Sequence, residues 1–308
     1  MKDMYIIAGI SKQALWQHRK RQEEMALITS EVVTMIEDVR INHKRMGCRR
    51  IYYTSKKPLP IGRDLFEQIG FANGFKLKLK RNVMKTTWSQ RVEVFPNLID
   101  GMVLNGINQV WQSDIFYLKV EGVDYYGVSI EDVYSRRLLA LHLSKSLAAE
   151  QNIMALQKAL KARKGSKVNG CIFHSDRGCQ YISDIHKTLL KEAGMKISMC
   201  KRPQENAYVE RVQGTLKYEY LFEHKLTEAN LYRMILKILG WYNEERPHSE
   251  LNMMTPVAFE KYVKNIPENK RPKVQIYQGF SELSTKNEVA DKKKKSNKKR
   301  KSQHHYNY

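Results

Sequence analysis

The spacing of apolar residues changes character several times along the chain. Over 28–42 they fall near helical spacing, at Ile28, Val32, Val33, Ile36 and Val39, which predicts a helix. The stretch GISKQALWQHRKRQ ahead of it reads as a polar turn followed by an amphipathic basic helix. Over 43–81 the chain carries MGCRRIYY, is punctuated by Pro58 and Pro60, and predicts another helix near 61–70. Short helices joined by tight basic turns fit a helix-turn-helix-like unit and equally a generic small helical domain. Periodicity then fades through a segment holding Pro96, Gly101 and Gly106, the pattern of a linker.

From Gln109 the pattern becomes that of a sheet. QVWQSDIFYLKV, 123–133 and 137–143 are rich in β-branched and aromatic residues, with Gly122 and Tyr134-Ser135 as turns between them. Three such runs joined by short turns predict an antiparallel meander. A helix over 148–162, a short strand over 170–174, a helix over 184–193, a strand over 195–199 and helices over 207–222 and 227–243 follow. The order βββαβαβαα belongs to a mixed α/β fold. No apolar run reaches the roughly 18 residues of a membrane span, and the N-terminal run MKDMYIIAGISKQ is too short for a secretory signal.

Charge narrows the function. Lys and Arg number 54 against 32 Asp and Glu, a net +22 with a pI near 9.7, in 308 residues. KKKK at 292–295 and KKRK at 298–301 carry eight of those charges, which leaves the rest of the chain at +14. A basic body with a basic tail points to a polyanion, most commonly nucleic acid. The tail reads as a solvated arm able to add phosphate contacts without reading sequence. Four scattered cysteines without a CxxC pair argue against a disulfide framework or a four-cysteine zinc site, and fit a reducing, cytoplasmic setting.

Three carboxylates are candidates for chemistry. Asp114 lies mid-strand and shares a face with Gln112 and Phe116, where an acid is costly unless paired or metal-bound; a solvent-facing edge acid is the plainer reading. Asp176 follows a short buried strand in HSDRGCQY, at the strand end where α/β folds often carry chemistry, although Ser-Asp-Arg-Gly is also good turn chemistry. Glu210 lies on a helix whose stripe of Val209, Val212, Leu216 and Tyr220 faces a core, while Asn206, Glu210, Gln213, Gly214 and Lys217 form the adjacent row. Together they offer the hard oxygens Mg²⁺ prefers, and a two-ion site suits phosphodiester displacement.

These residues sit in familiar words. Trp111-Gln-Ser-Asp114-Ile-Phe-Tyr resembles the first-aspartate strand of bacterial insertion-sequence transposases, and Asp132-Val-Tyr-Ser135-Arg136 their turn after it. His174-Ser-Asp176-Arg-Gly-Cys-Gln180-Tyr181, Asn206-Ala-Tyr-Val-Glu210-Arg211 with Leu216-Lys217, and Trp241-Tyr-Asn243-Glu-Glu-Arg246-Pro247-His248 with Thr255-Pro256 follow in the same order. The chain therefore resembles OrfB-type transposases of the insertion sequence 3 family, within the retroviral integrase superfamily, over roughly 5–262.

The resemblance implies an α/β, RNase H-like core of integrase type, a mixed five-stranded sheet, with a small N-terminal α-helical domain. It implies a helix-turn-helix-like DNA-binding region over 1–85, a linker over 86–106, a catalytic core over 107–265 and a basic, disordered tail over 266–308. Asp114, Asp176 and Glu210 become a DDE triad holding two Mg²⁺ or Mn²⁺ ions. The expected reaction is cleavage of insertion-element DNA ends and strand transfer by the freed 3′-OH, with no covalent protein–DNA intermediate. Lys201, Arg202, Arg211 and Lys217 are expected phosphate contacts, with solvated surface as the alternative. The expected partners are double-stranded DNA of element ends and target, further copies of the chain assembled on DNA, and an upstream-frame OrfA protein or fusion. The expected place of action is the bacterial cytoplasm, at the nucleoid.

Two departures from the family pattern stand out. Thirty-three residues separate Asp176 from Glu210, slightly fewer than usual, because the loop over 198–205 is short. This supports a second reading, a catalytically degenerate DNA-binding protein of the same fold; a nuclease that cleaves without joining is a third. Phe116 stands where Thr is commoner, at a position that is not a metal ligand. Asp132 reads as a nearby acid or a turn cap, His174 as a packed histidine, and Arg246 and His248 as braces for the helix beyond the core.

Overall fold

The chain was analysed as a computed structural model, which describes residues 11–77, 95–200 and 203–276. The meander forms as its pattern predicts: β2 (Val110–Val120), β3 (Val123–Asp132) and β4 (Arg137–Ser144), after a two-residue β1 (Val103–Leu104). Glu121 and Gly122 join β2 to β3 with φ of 49° and 84°, the left-handed pair that a two-residue hairpin turn needs. Helix α4 (Ala149–Ala162) crosses to β5 (Ile172–Ser175), and α5 (Asp184–Glu192) crosses to β6 (Lys196–Met199). The sheet order is β4-β3-β2-β5-β6, antiparallel across β4, β3 and β2 and parallel across β2, β5 and β6. This is the RNase H-like arrangement, with its five mixed strands.

Alternation along β2 sorts the two faces. Trp111 packs with Phe173, Tyr181, Leu156 and Leu190 under α4 and α5. Phe116, Leu118 and Val120 pack on the opposite face against α6 (Ala207–Thr215) and α7 (Glu228–Gly240). The Val209, Val212, Leu216 and Tyr220 stripe is buried as its spacing predicts. Phe116 lies over Gly127, its partner on β3; a Cβ on Gly127 would come within 2.3 Å of the ring. The bulky residue at this position is thus matched by a missing side chain across the strand.

Helix α6 runs on as a π-helical turn, Leu216–Leu221, and α7 does the same over Trp241–Glu245. The N-terminal helices dock on these two turns. The expected separate helices over 1–22 and 28–42 form, where described, one helix, α1 (Lys12–Asn42). Residues 16–27 of it are exposed, including Trp16, Met25 and Leu27, so its apolar positions do not gather on one packed face. Its C-terminal half packs with α2 (Cys48–Tyr52) and α3 (Arg63–Ala72) around Ile36, Met46, Ile51 and Phe66. His43, which follows α1, hydrogen-bonds Tyr220 Oη at 2.9 Å and Glu245 Oε2 at 3.1 Å. Arg50 Nη1 donates to Glu219 Oε1 at 3.2 Å, while Arg246 grips the same carboxylate with Nε and Nη2, both at 2.8 Å. Burial opposes charge on Glu219, but the Arg246 hydrogen bonds and the Arg246 and Arg50 fields outweigh it, so its carboxyl lies below its ordinary range.

The linker expected over 86–106 and the tail expected from 266 need correction where they are described. Ile99 and Leu104 are buried with Val110, Tyr134, Phe259 and Ile276, and β1 pairs antiparallel with β7 (Val274–Gln275). Little in either segment announces this, because the two partners lie about 170 residues apart and each satisfies the other's backbone. Residues 277–308, with both lysine runs, and 78–94 lie outside the described residues. Among the described residues, no helix is long and apolar enough to cross a membrane.

A buried ion network fastens α8 (Pro256–Lys264) to the sheet. Arg163, after α4, donates to Asp132 Oδ2 at 3.0 Å and to both Glu260 oxygens at 2.5 and 2.8 Å, and Arg137 Nη1 reaches Glu260 at 2.6 Å. Asp132 Oδ1 caps the backbone N–H groups of Tyr134 and Ser135, so this acid caps the turn. Removing Arg163 leaves the buried Asp132 without its counter-charge and Glu260 with Arg137 as its partner cation. Arg163→Met is expected to lower unfolding stability by about 3–5 kcal/mol in urea titrations. For Glu219, whose folded pKa lies below 4.5, the stabilisation is present above that value and lost as pH falls through the folded pKa. Protection factors of the amides in α1 and α2 should therefore fall on acidification below about pH 4.5, and Glu219→Gln should show that lower protection already at pH 7.

Candidate active site

Two strands place the aspartates. β2 and β5 pair in parallel from Val110↔Ile172 to Ser113↔Ser175, so Asp114, inside β2, and Asp176, just past the C-terminal end of β5, come next on each and stand side by side. Both are half-buried. Asp114 Oδ1 accepts from the Ile115 N–H at 2.8 Å, and Asp176 Oδ1 from the Gly178 N–H at 3.1 Å, which makes Asp176 a turn cap as well as a strand-end acid. Burial pushes Asp114 up to about 7, the nearby Asp176 adds to this, and Glu210 adds less; the Ile115 N–H and Lys217 oppose it. Burial also raises Asp176. No ion pair to Asp114, Asp176 or Glu210 occurs among the described residues.

Glu210 comes from the first turn of α6, exposed, and its position depends on Gln112. That fully buried side chain faces α6 two residues before Asp114. Its Nε2 donates to the Glu205 carbonyl at 3.3 Å and its Oε1 accepts from the Val209 N–H at 3.2 Å. Asn206 Nδ2 adds a bond to the Ser113 carbonyl at 3.3 Å. Ser129, opposite Asp114 on β3, meets Gln213 Nε2 at 3.4 Å. A row of buried amides thus sews α6 to β2 and β3 beside the aspartates. Asn206 and Gln213 stand out in the sequence as the polar row around Glu210; the clamping by Gln112 does not, since nothing local shows which helix crosses above a strand.

The remaining candidates separate. Lys217 is half-buried, lies 5.3 Å from the centroid of the Phe116 ring and feels the Asp114 charge. Arg211 is exposed and paired with Glu250. Lys201 and Arg202 lie outside the described residues. The end of the short 198–205 loop is anchored, with Asn97 Nδ2 donating to Glu205 Oε2 at 2.8 Å. His174 is packed: its Nδ1 meets Ser198 Oγ at 2.9 Å, and burial pushes its pKa down to about 4. Arg246 braces the π-helical turn through Glu219.

The donor chemistry suits a hard divalent cation: carboxylate oxygens, two adjacent aspartates of which burial and the neighbour raise Asp114, and, among the described residues, no ion pair to them. The ligand shell is not closed, since among the described residues no three His, Cys, Asp or Glu side chains converge as a complete metal-binding group. Glu210 is near enough for its charge to be felt at Asp114.

Comparison with known proteins bears on the whole chain. Two integrase core domain families match residues 105–204 and 193–256. The insertion element IS600 uncharacterized 31 kDa protein of Shigella sonnei is 30% identical over 239 residues, covering 73% of this chain and 86% of that protein. The transposase for insertion sequence element IS904 of Lactococcus lactis is 33% identical over 199 residues, 62% of this chain and 76% of the relative. Transposase InsF for insertion sequence IS3A of Escherichia coli is 29% identical over 193 residues, 61% of this chain and 66% of its own length. An integrase core with paired strand-end aspartates, matched along most of its length by insertion-element proteins, places the chain in the IS3 family of DDE transposases.

Proposed function

We propose that Asp114, Asp176 and Glu210 are the catalytic carboxylates of this transposase, and that they bind two Mg²⁺ or Mn²⁺ ions. The observation that carries this reading is the side-by-side placement of Asp114 and Asp176 on adjacent parallel strands, with no ion pair to either among the described residues. Bound ions supply activation of the attacking oxygen and stabilisation of the leaving one. The protein's own groups hold and orient. The strand ends keep the aspartates side by side, Gln112 and Asn206 fix α6 so that Glu210 stands beside them, and Lys217 offers a cation to the DNA backbone next to Asp114. Water attacks first at the element end, and the freed 3′-OH then attacks a second phosphodiester.

Partners follow from the reaction. Arg211 and Lys217, with Lys201 and Arg202 outside the described residues, are proposed backbone contacts, and the helices α1–α3 a DNA-binding region ahead of the core. Joining two ends calls for more than one copy on DNA, and an upstream-frame OrfA partner or fusion fits the family. Such chemistry takes place where the DNA is, in the cytoplasm and at the nucleoid.

Labelled element-end duplex tests this. Asp114→Asn, Asp176→Asn and Glu210→Gln are each expected to reduce Mg²⁺-dependent nicking and joining by more than about a hundredfold, beyond the usual effect of groups behind a metal ligand. Full activity in all three variants would falsify the assignment. Binding without nicking in the unaltered protein, even with an OrfA fusion, would instead support the catalytically degenerate reading. Gln112→Leu keeps the volume and loses both clamp bonds; a fall in cleavage of about ten- to a hundredfold is expected, with DNA affinity retained.

A further inference from the structure

Across β2 from Asp176, a cavity of about 250 Å³ opens between α6, the β3 end and the loop that precedes α8. Its floor holds two polar groups without partners. Glu131, opposite Gln112 in the β2–β3 register, is fully buried, and neither carboxyl oxygen makes a hydrogen bond. Arg136 is nine-tenths buried, and its Nε and Nη1 are likewise unpartnered. The guanidinium lies 4.2 Å from the centroid of the Tyr208 ring, which fixes the plane of its donor fork. Its one engaged nitrogen, Nη2, donates to Glu250 Oε2 at 2.8 Å. The other Glu250 oxygen meets Arg211 at the exposed rim.

Leaving guanidinium donors buried and unused is costly, so the arrangement is incomplete without an acceptor. A planar arginine fork matches the oxygens of a phosphate, and a second arginine at the rim adds charge. Glu250 already shows the chemistry, because its carboxylate bridges the two arginines. Its side chain is 40% exposed and can leave to solvent, whereas Arg136 cannot.

We propose that this cavity binds one phosphate group of a DNA backbone through Arg136 and Arg211, and that Glu250 holds the phosphate's place while DNA is absent. Burial pushes the Glu131 carboxyl up to about 8 against the opposing field of Arg136, which weakens its repulsion of a phosphate near neutral pH. Tyr208, Glu210 and Arg211 share one turn of α6, about 5.4 Å of axis, so a strand seated here runs on towards the carboxylates. The inference rests on the reading of the chain as DNA-acting and not on which carboxylates are catalytic.

The test is fluorescence anisotropy of the full chain with labelled duplex DNA, without divalent metal, over about 50–200 mM salt. Glu250→Gln is expected to bind about two- to fivefold more tightly, the range released by an exposed ion pair. Arg211→Gln is expected to bind more weakly and to lower the slope of log affinity against log salt by about one, and Arg136→Lys, which keeps the charge and loses the fork, to bind more weakly with the slope unaltered. If Arg136→Lys does not fold, as thermal melting will show, the exposed pair Arg211→Gln and Glu250→Gln decides alone. Weaker or unchanged binding by Glu250→Gln, an unaltered slope in Arg211→Gln, or unaltered affinity in a folded Arg136→Lys overturns the proposal. A second arm adds inorganic phosphate at constant ionic strength. Thermal stabilisation by phosphate with an unaltered DNA slope would assign the cavity to a free anion and overturn the DNA-backbone assignment. Since neither arm reads cleavage, a failed triad and a failed cavity give different results.

Discussion

Because β2 and β5 run parallel and pair up to Ser113 and Ser175, the residues that follow emerge level on neighbouring strands, and both are aspartates. This pairing is the constraint on which the rest of the site depends. It brings two carboxylates from distant parts of the chain together at a strand end, where only a few hydrogen bonds, from the Ile115 and Gly178 N–H groups, offset the loss of water. That loss of water raises the Asp114 carboxyl, and the neighbouring Asp176 adds to it. The Gln112 clamp and the half-buried Lys217 lie around this pair.

Elsewhere the protein treats buried charge in the opposite way. Arg163 meets Asp132 and Glu260, and Arg246 with Arg50 meets Glu219, each with short bonds and nearly filled geometry. Such networks gain little over an apolar core but specify one arrangement of elements, because a single missing member leaves a buried ion. Here they set where α8 and the N-terminal helices sit. The contrast between satisfied networks and unsatisfied groups is what singles out the aspartate pair, and likewise the Glu131–Arg136 cavity.

The two π-helical turns join these themes. Leu216–Leu221 presents Glu219 and Tyr220, and Trp241–Glu245 presents Glu245. Wider turns are uncommon and tend to mark places where a helix serves something besides its own packing. In this chain they receive His43 and Arg50 from the helical unit. Helix α6 thus carries Glu210 in its first turn and the docking surface for the N-terminal helices beyond its last, so both ends of one element are spoken for.

Sequence by itself was enough for the meander, the order of helices and strands, the buried stripe of α6, and the residues worth asking about. Alternation and helical spacing are local properties; Asp114 stands out as an acid inside a strand, while Asp176 and Glu210 are picked out by the motifs they sit in. Tertiary structure decided what depends on elements remote in the chain: that β1 pairs with β7, so the expected linker and tail join the core; that one helix replaces two at the N-terminus; that Gln112 holds the helix bearing Glu210. It also decided that Arg211 faces Glu250 and that Glu131 and Arg136 share a cavity. Periodicity reports which face of an element is buried, but not what lies against it, since burial is a property of one residue's surroundings and contact is a property of two.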